Sequence, residues 1–208
     1  MPNYIDMEQA RKSHVFISRN VLNNQDILDL FKVRDYVESQ EVLTGELNNT
    51  QNVGREHKRC IFLNKGEDAI YKQAPSILAK LLRFALEARS RSDSWVSPLQ
   101  NVGTGLSSCS IRVVEFWEYN VGGSLLNEWH YDGGSIFTIV VVLGDQFEGG
   151  RFRTHELPDG THVEHALGTG DAVCFLSHKY HNVTPVSSGT RFSLVIELWE
   201  GKLPLKGR

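Results

Sequence analysis

At 208 residues the chain is long enough for one large domain or two small ones, and 40% hydrophobic with 23% charged residues is an ordinary globular composition. Charge is nearly balanced, 22 Lys+Arg against 25 Asp+Glu, and no basic stripe with interleaved aromatics stands out, which argues against dedicated nucleic-acid binding. The first 25 residues are polar and mixed and no later run approaches about 18 uninterrupted apolar residues, so no membrane association is expected and the setting is read as cytoplasmic.

The N-terminal half reads as mixed and partly helical. His14 to Ser18 is a short strand candidate. Asn23-Asn24-Gln25-Asp26 supplies N-cap residues ahead of an amphipathic run carrying Ile27, Leu28, Leu30, Phe31 and Val37. Residues 41–57 are polar, with Asn48-Asn49 and Gly54, and read as a loop; Arg59 to Asn64 reads as a strand. Glu67 to Ala88 is the strongest helix signal, its apolar face built from Ile70, Ile77, Leu78, Leu81, Leu82, Phe84 and Leu86 and interrupted only near Pro75. A Ser/Asn/Gly-rich connection over residues 90–104 follows.

From about residue 107 the pattern changes to short strands separated by Gly, Asp and Pro. Candidates are Ser110–Tyr119, Leu125–Asp132, Ser135–Leu143, Arg151–His155, Thr161–His165, Ala172–Leu176, Tyr180–Pro185 and Arg191–Trp199. About eight short strands in under about a hundred residues predict a mostly β fold with some α, an antiparallel barrel or double-sheet jelly roll. The helical segments would then pack outside one of its sheets. Cys60, Cys109 and Cys174 have no close spacing and read as buried reduced thiols.

The last of these strands is informative in detail. Alternation puts Phe192, Leu194, Ile196 and Leu198 on one face and Arg191, Ser193, Val195 and Glu197 on the other. The second face is too polar for ordinary core, because a buried guanidinium without an anionic partner is strongly unfavourable. Either that face meets solvent or it lines a cavity holding an anion.

Six of the eight histidines fall after residue 129. In Trp129-His130-Tyr131-Asp132-Gly133-Gly134, an imidazole and a carboxylate stand two apart, and on extended backbone such residues point to one side. His130 and Asp132 can therefore converge on one metal ion, as two thirds of the 2-His-1-carboxylate set of non-haem Fe(II) oxygenases. A tripeptide of this kind is weak by itself, and a solvated hairpin pair explains it equally well. His181, in Tyr180-His181-Asn182-Val183-Thr184-Pro185-Val186, is the candidate third ligand, with His178 as its rival. Ten residues after His181 comes Arg191, in Gly189-Thr190-Arg191-Phe192-Ser193.

With these motifs in place, residues 107–200 resemble the Fe(II)/2-oxoglutarate-dependent dioxygenases, in their prolyl-4-hydroxylase-like branch. The resemblance rests on His130-Tyr131-Asp132, the apolar run Ile136–Leu143, Phe147-Glu148-Gly149-Gly150, Gly168-Thr169-Gly170-Asp171-Ala172, His181–Val186 and Gly189-Thr190-Arg191, all in the family's order. It implies one domain over 1–208, with residues 1–106 as a helical and mixed support region. Residues 107–200 would form a double-stranded β-helix, a jelly-roll or cupin-like barrel flanked by N-terminal helices. It further implies Fe(II) held by His130, Asp132 and His181. Arg191 would pair with the far carboxylate of 2-oxoglutarate, supported by Ser193, Tyr119 and Thr138. O2 is the oxidant, ascorbate a candidate further cofactor, and succinate and CO2 the co-products. The expected outcome is hydroxylation of a C–H bond in a peptidyl-proline, amino-acid or small-molecule substrate.

Three departures refine that expectation. Val142 stands where the family has a second tyrosine, and Glu197 occupies the position six after Arg191 where the nucleic-acid-demethylating branch carries an Arg. Asp132 is retained where related halogenases have a small residue. The histidines His155, His162 and His165 flank the Pro158-Asp159-Gly160 turn and read as solvated hairpin residues. A reading from a different class, a non-catalytic metal-binding jelly-roll module, has no need of Arg191 and Ser193 at these positions.

Overall fold

The computed structural model describes residues 6–44, 50–52, 57–64, 69–96, 98, 109–156 and 159–200. Helices are α1 (Met7–Lys12), α2 (Asn24–Thr44), α3 (Ala69–Gln73) and α4 (Pro75–Arg91). Strands are β1 (Phe16–Ser18), β2 (Thr50–Asn52), β3 (Lys58–Phe62), β4 (Cys109–Tyr119), β5 (Phe137–Val142), β6 (Phe147–Gly149), β7 (Phe152–Glu156), β8 (Thr161–His165), β9 (Ala172–Leu176), β10 (His181–Val183), β11 (Val186–Gly189) and β12 (Arg191–Glu200). A seven-stranded sheet in the order β1-β9-β5-β12-β4-β3-β2 is accompanied by two smaller sheets, β10-β7-β8 and β11-β6. Every pairing is antiparallel, as the jelly-roll expectation requires. The N-terminal half contributes more than helices, because β1, β2 and β3 extend the large sheet at both edges.

The period-two pattern of β12 divides the interior. Leu194, Ile196 and Leu198 join Val114, Phe116, Ile139 and Val141 in a core completed by Leu30 and Val33 of α2 and Ile77, Leu81 and Phe84 of α4. The opposite face of the sheet looks into the barrel. Directly opposed residues share a face. On that inner face Arg191 therefore stands beside Tyr119, Ser193 between Trp117 and Val142, and Glu197 between Val113 and Thr138. All three β12 residues are buried. The polar face of this strand thus lines the barrel interior instead of meeting solvent.

Local chemistry accounts for most helix boundaries. The Asn23 side chain accepts from the Asp26 amide while Asp26 accepts from the Asn23 amide, both at 2.9 Å, closing a reciprocal cap at the start of α2. The helix predicted over Glu67–Ala88 is divided: α3 ends before Ala74, whose φ of −137° and ψ of 47° are not helical, and Pro75 then opens α4 as its first residue. A proline ring disfavours helical geometry in the residue before it, yet suits the first turn. α2 runs seven residues beyond Val37, into the stretch read as a loop. Residues 45–49, 53–56, 97 and 99–104 of the two predicted connections lie outside the described residues, as does Glu67.

One strand expectation is overturned. Leu125–Asp132 is not a strand; only Leu125 makes a β-bridge, to Val183, and the chain then turns at Glu128-Trp129. The Asn127 side chain accepts from the Trp129 amide at 3.0 Å and its carbonyl from the His130 amide at 3.1 Å, which tightens the turn and ends the pairing. The remaining seven candidates appear as β4, β5, β7, β8, β9, β10 and β12, with β6 and β11 added between them.

Candidate metal centre

His130 and Asp132 are delivered by an irregular loop that is laid against the strands at its back. Asp132 donates its amide to the Ser177 carbonyl at 2.8 Å, and the His130 carbonyl accepts from the His181 amide at 3.0 Å. That second bond ties the loop directly to the start of β10, so the three residues are placed by one small set of backbone contacts. Gly134, at φ +88°, lets the chain leave the loop in a left-handed conformation that other residues rarely adopt. Arg112 braces the same turn, its Nη1 donating to the Gly133 carbonyl at 2.6 Å, to Ser135 Oγ at 3.0 Å and to Glu197 at 3.2 Å.

The ligating atoms converge. His130 Nε2 lies 3.2 Å from Asp132 Oδ1, and His181 Nε2 lies 3.7 Å from Asp132 Oδ2. One donor atom from each of the three falls within 4.8 Å of the other two. His178 does not join this group; its ring stacks on Tyr131 with centroids 5.7 Å apart. The Nδ1 of His181 meets the Lys179 carbonyl at 3.1 Å, and as an N–H donor there it leaves the Nε2 lone pair facing the cluster. Thr138 Oγ1 donates to Asp132 Oδ2 at 2.7 Å and is itself 2.9 Å from Ser177 Oγ.

Electrostatics prepare the donors. Burial lowers the pKa of His181, partly opposed by the Asp132 carboxylate, so the ring stays neutral and able to ligate. Burial alone would raise Asp132, but the His181 and His130 imidazoles and the Thr138 hydroxyl outweigh it and hold the carboxyl below its ordinary value. Asp132 and His181 are almost fully enclosed, whereas the His130 side chain is 36% exposed. The centre therefore has one open side.

Arg191 is 1% exposed. Its Nη1 donates to Ser193 Oγ at 2.9 Å, while Nη2 is buried with no hydrogen-bond partner. The guanidinium carbon lies 5.5 Å from the centre of the Tyr119 ring. Burial disfavours the charged guanidinium and lowers its pKa, and burial raises that of the Tyr119 phenol, which stays protonated as a potential donor. A cleft of about 500 Å³ reaches Arg191 past Gly150, Phe152 and His165, but none of the three clustered ligands lines it. Gly150 is required at this spot: at φ +56°, a Cβ there would come within 2.8 Å of Arg191 Cδ.

These residues fit the groups that the sequence resemblance implies. Two imidazoles and a carboxylate are an Fe(II) donor set, and a buried guanidinium with an unused N–H pair is the complement of a carboxylate. Tyr119, Arg191 and Ser193 share one wall, as expected. Thr138 is placed beside Asp132, with its hydroxyl spent there. Arg112, Ser135, Ser177 and Lys179 escape sequence reading, since their contacts are made by chain segments far apart in sequence. Glu197 is the exception: strand alternation had put it on the face of Arg191. His155, read as solvated, is 2% exposed.

The family model described as 2OG-Fe(II) oxygenase superfamily matches residues 114–199, which span β4 to β12 and contain all three clustered ligands. Among solved structures, an oxidoreductase of the 2OG-Fe(II) oxygenase family from Burkholderia pseudomallei is similar at a TM-score of 0.59 and 15% identity, over 94% of this chain and 88% of that one. A prolyl-4-hydroxylase from Pseudomonas putida is similar at 0.54 and 16%, over 94% and 97%. A prolyl hydroxylase from Trichoplax adhaerens, in complex with a hypoxia inducible factor peptide fragment, is similar at 0.58 and 14%, over 94% and 88%. No curated protein sequence matches the chain. At these identities the solved structures speak for the fold alone, and the family match makes the strand core of this chain, residues 114–199, similar to the 2OG-Fe(II) oxygenase superfamily.

Proposed function

We propose that His130, Asp132 and His181 hold the Fe(II), and that Arg191, with Ser193 and Tyr119, holds the far carboxylate of 2-oxoglutarate. On this reading the protein, a single domain over residues 1–208, hydroxylates an unactivated C–H bond of a peptidyl-proline, amino-acid or small-molecule substrate. The observation that carries it is the buried Arg191 Nη2 without a partner, on the same inner wall as Thr138, which holds Asp132. Leaving a charged donor unsatisfied in a barrel interior costs several kcal/mol, of order the penalty for an unpaired buried ion, unless an anion completes it.

Bound iron and 2-oxoglutarate supply the oxidising chemistry, which consumes O2 and releases succinate and CO2. The chain's own residues position and protect. Thr138 orients the Asp132 carboxylate through its hydroxyl, a role we assign to it in place of a contact with the co-substrate. Lys179 fixes the ring of His181 through its carbonyl. Arg191 neutralises the carboxylate that enters beside it, with Ser193 Oγ as the neighbouring hydroxyl. Val140, Phe152, Val173, Phe175 and Val183 form an apolar cluster behind the ligands, Phe175 lying 4.8 Å from the His181 ring, and exclude water from that side.

Substrate approaches from the open side of His130. Leu126, Trp129 and Tyr131 are exposed there, in the loop that delivers the ligand. Trp129 packs edge-on against Tyr180 at 5.2 Å, so its indole is held in place while its surface stays open. A fixed aromatic surface suits a substrate with an apolar ring or side chain, a pyrrolidine among them. The prolyl hydroxylases among the structural neighbours support the peptidyl-proline option. Succinate release from 2-oxoglutarate, measured across a panel of proline-containing peptides, free amino acids and small molecules with Fe(II) and ascorbate present, tests the reading. Substrate-stimulated release with a product heavier by one oxygen is expected; no release with any substrate and no uncoupled turnover would favour a non-catalytic binding module.

A further inference from the structure

Outside the reaction centre, the described residues hold a second group of ligating side chains: Glu128, His155 and His162, one donor atom from each lying within 4.8 Å of the others. The topology makes this pairing. β7 and β8 form a hairpin in which His155 stands directly opposite His162. Directly opposed side chains lie on one face, and here the two ring centroids are 3.9 Å apart. Glu128 comes from a different part of the chain, the turn just before His130, and its Oε1 lies 3.8 Å from His162 Nε2. A strand hairpin and the loop that carries an iron ligand meet at these three residues.

The second observation is His155 itself. Its side chain is 2% exposed, yet Nε2 is buried and has no hydrogen-bond partner. Buried imidazole nitrogens are nearly always satisfied, because an unmade bond costs about 1–3 kcal/mol. The contacts around it explain why it is buried but not why its nitrogen is unused: the Trp129 ring covers it at 5.5 Å, and its own backbone amide is taken by the Tyr180 carbonyl at 3.0 Å. Two imidazoles pressed together, one of them orphaned, with a carboxylate alongside, are a donor set looking for a cation.

We infer that Glu128, His155 and His162 form a second metal site, for a divalent ion of the zinc class, which clamps the β7–β8 hairpin to the loop delivering His130. Two imidazole nitrogens and one carboxylate oxygen match the borderline donors zinc takes, with a fourth position left to water. Hard cations such as Ca(II) and Mg(II) prefer all-oxygen shells and would gain little from two histidines. Glu128 and His162 are partly exposed, so they can close on the ion, while His155 is the fixed member. An ion held there would restrict the turn at Glu128-Trp129, immediately before His130, and so stiffen the open side of the reaction centre.

The site is tested by zinc stoichiometry, with no dependence on turnover. The full chain, freed of metal by chelation, is titrated with Zn(II) by calorimetry as wild type, His162→Ala, Glu128→Gln and His130→Ala. Zinc also enters a vacant 2-His-1-carboxylate centre, so wild type should bind about two equivalents and His162→Ala about one, with Glu128→Gln weakening that second equivalent by about tenfold or more. His162 lies at the surface of a hairpin, so its replacement leaves the fold in place, which a thermal melt checks. If His162→Ala binds as much zinc as wild type with unchanged affinity, the second site does not exist. The two assignments separate cleanly: loss of an equivalent in His130→Ala reports on the reaction centre, and loss in His162→Ala reports on this one.

Discussion

Thr138 Oγ1 donates a 2.7 Å hydrogen bond to Asp132 Oδ2, and accepts its own partner from the direction of Ser177 Oγ, 2.9 Å away. The carboxylate is thereby held by a fully buried hydroxyl on β5, across from Glu197 of β12. Partners of this kind set the orientation of a metal-binding carboxylate and typically contribute 10- to 100-fold, roughly, to metal affinity. Thr138→Val keeps the shape and deletes the bond. Fe(II) affinity, measured by anaerobic titration, should fall by about tenfold or more while the circular dichroism spectrum is unchanged.

Arg191 gives a prediction in which stability and binding move in opposite directions. Its Nη2 is buried and unpaired without co-substrate. Arg191→Met removes the uncompensated charge while filling similar volume, so the ligand-free variant should be more stable by about 2 kcal/mol, or roughly 4–8 °C in melting temperature. Affinity for 2-oxoglutarate should drop by about 100-fold or more, since two charge-assisted bonds are lost. In wild type, 2-oxoglutarate at about 100 times its Kd should add about 2.7 kcal/mol of stability; Arg191→Met should lose that increment at the same concentration.

Arg112 and Glu197 make a comparable but closed pair. Glu197 is 2% exposed and receives Arg112 at 3.2 Å and Ser135 Oγ at 2.6 Å. Removing the cation takes the Arg112 charge away from a buried carboxylate, so Arg112→Ala should cost about 3 kcal/mol by urea denaturation. Adding Glu197→Gln to it should recover a large part of the loss. A second change that makes matters worse by its full single-variant cost would mean that the two side chains act independently.

Acid sensitivity follows from the histidines. Burial lowers the pKa of His155, His165, His178 and His181 below the ordinary imidazole value of 6.5. Below about 6.5 the unfolded chain takes up protons that the native state refuses, so stability rises with pH through that window and falls on acidification. His181, fully enclosed, sets a slope of up to about 1.4 kcal/mol per pH unit by itself. Denaturation of the metal-free protein at pH 7.5 and 5.5 should give a lower free energy at 5.5. Equal values, or a gain in acid, would place these rings in contact with water.

What the sequence made legible was decided by the range of the interaction. The strand pattern after residue 107, the polar face of β12 and the cap at Asn23 and Asp26 are local, written in period two or in neighbouring residues. The division at Pro75 was visible as an interruption, though not as two helices. The His130 loop misled as a strand, because Leu125, Leu126, Trp129 and Tyr131 give it an apolar, aromatic pattern; only Leu125 bridges to Val183, the other three are exposed, and Asn127 turns the chain. The pairing of His130 with Asp132 survived that error, since two residues in a tight loop can still converge. His155 and Arg112 depended on partners that only the fold supplies.

The assignment of the reaction centre is tested most directly by anaerobic absorption spectroscopy of the protein with Fe(II) and 2-oxoglutarate. Wild type should develop a weak visible charge-transfer band. In His130→Ala the band should be absent, and in Arg191→Met it should appear only at far higher 2-oxoglutarate. An undiminished band in His130→Ala would contradict the placement of iron on His130, Asp132 and His181.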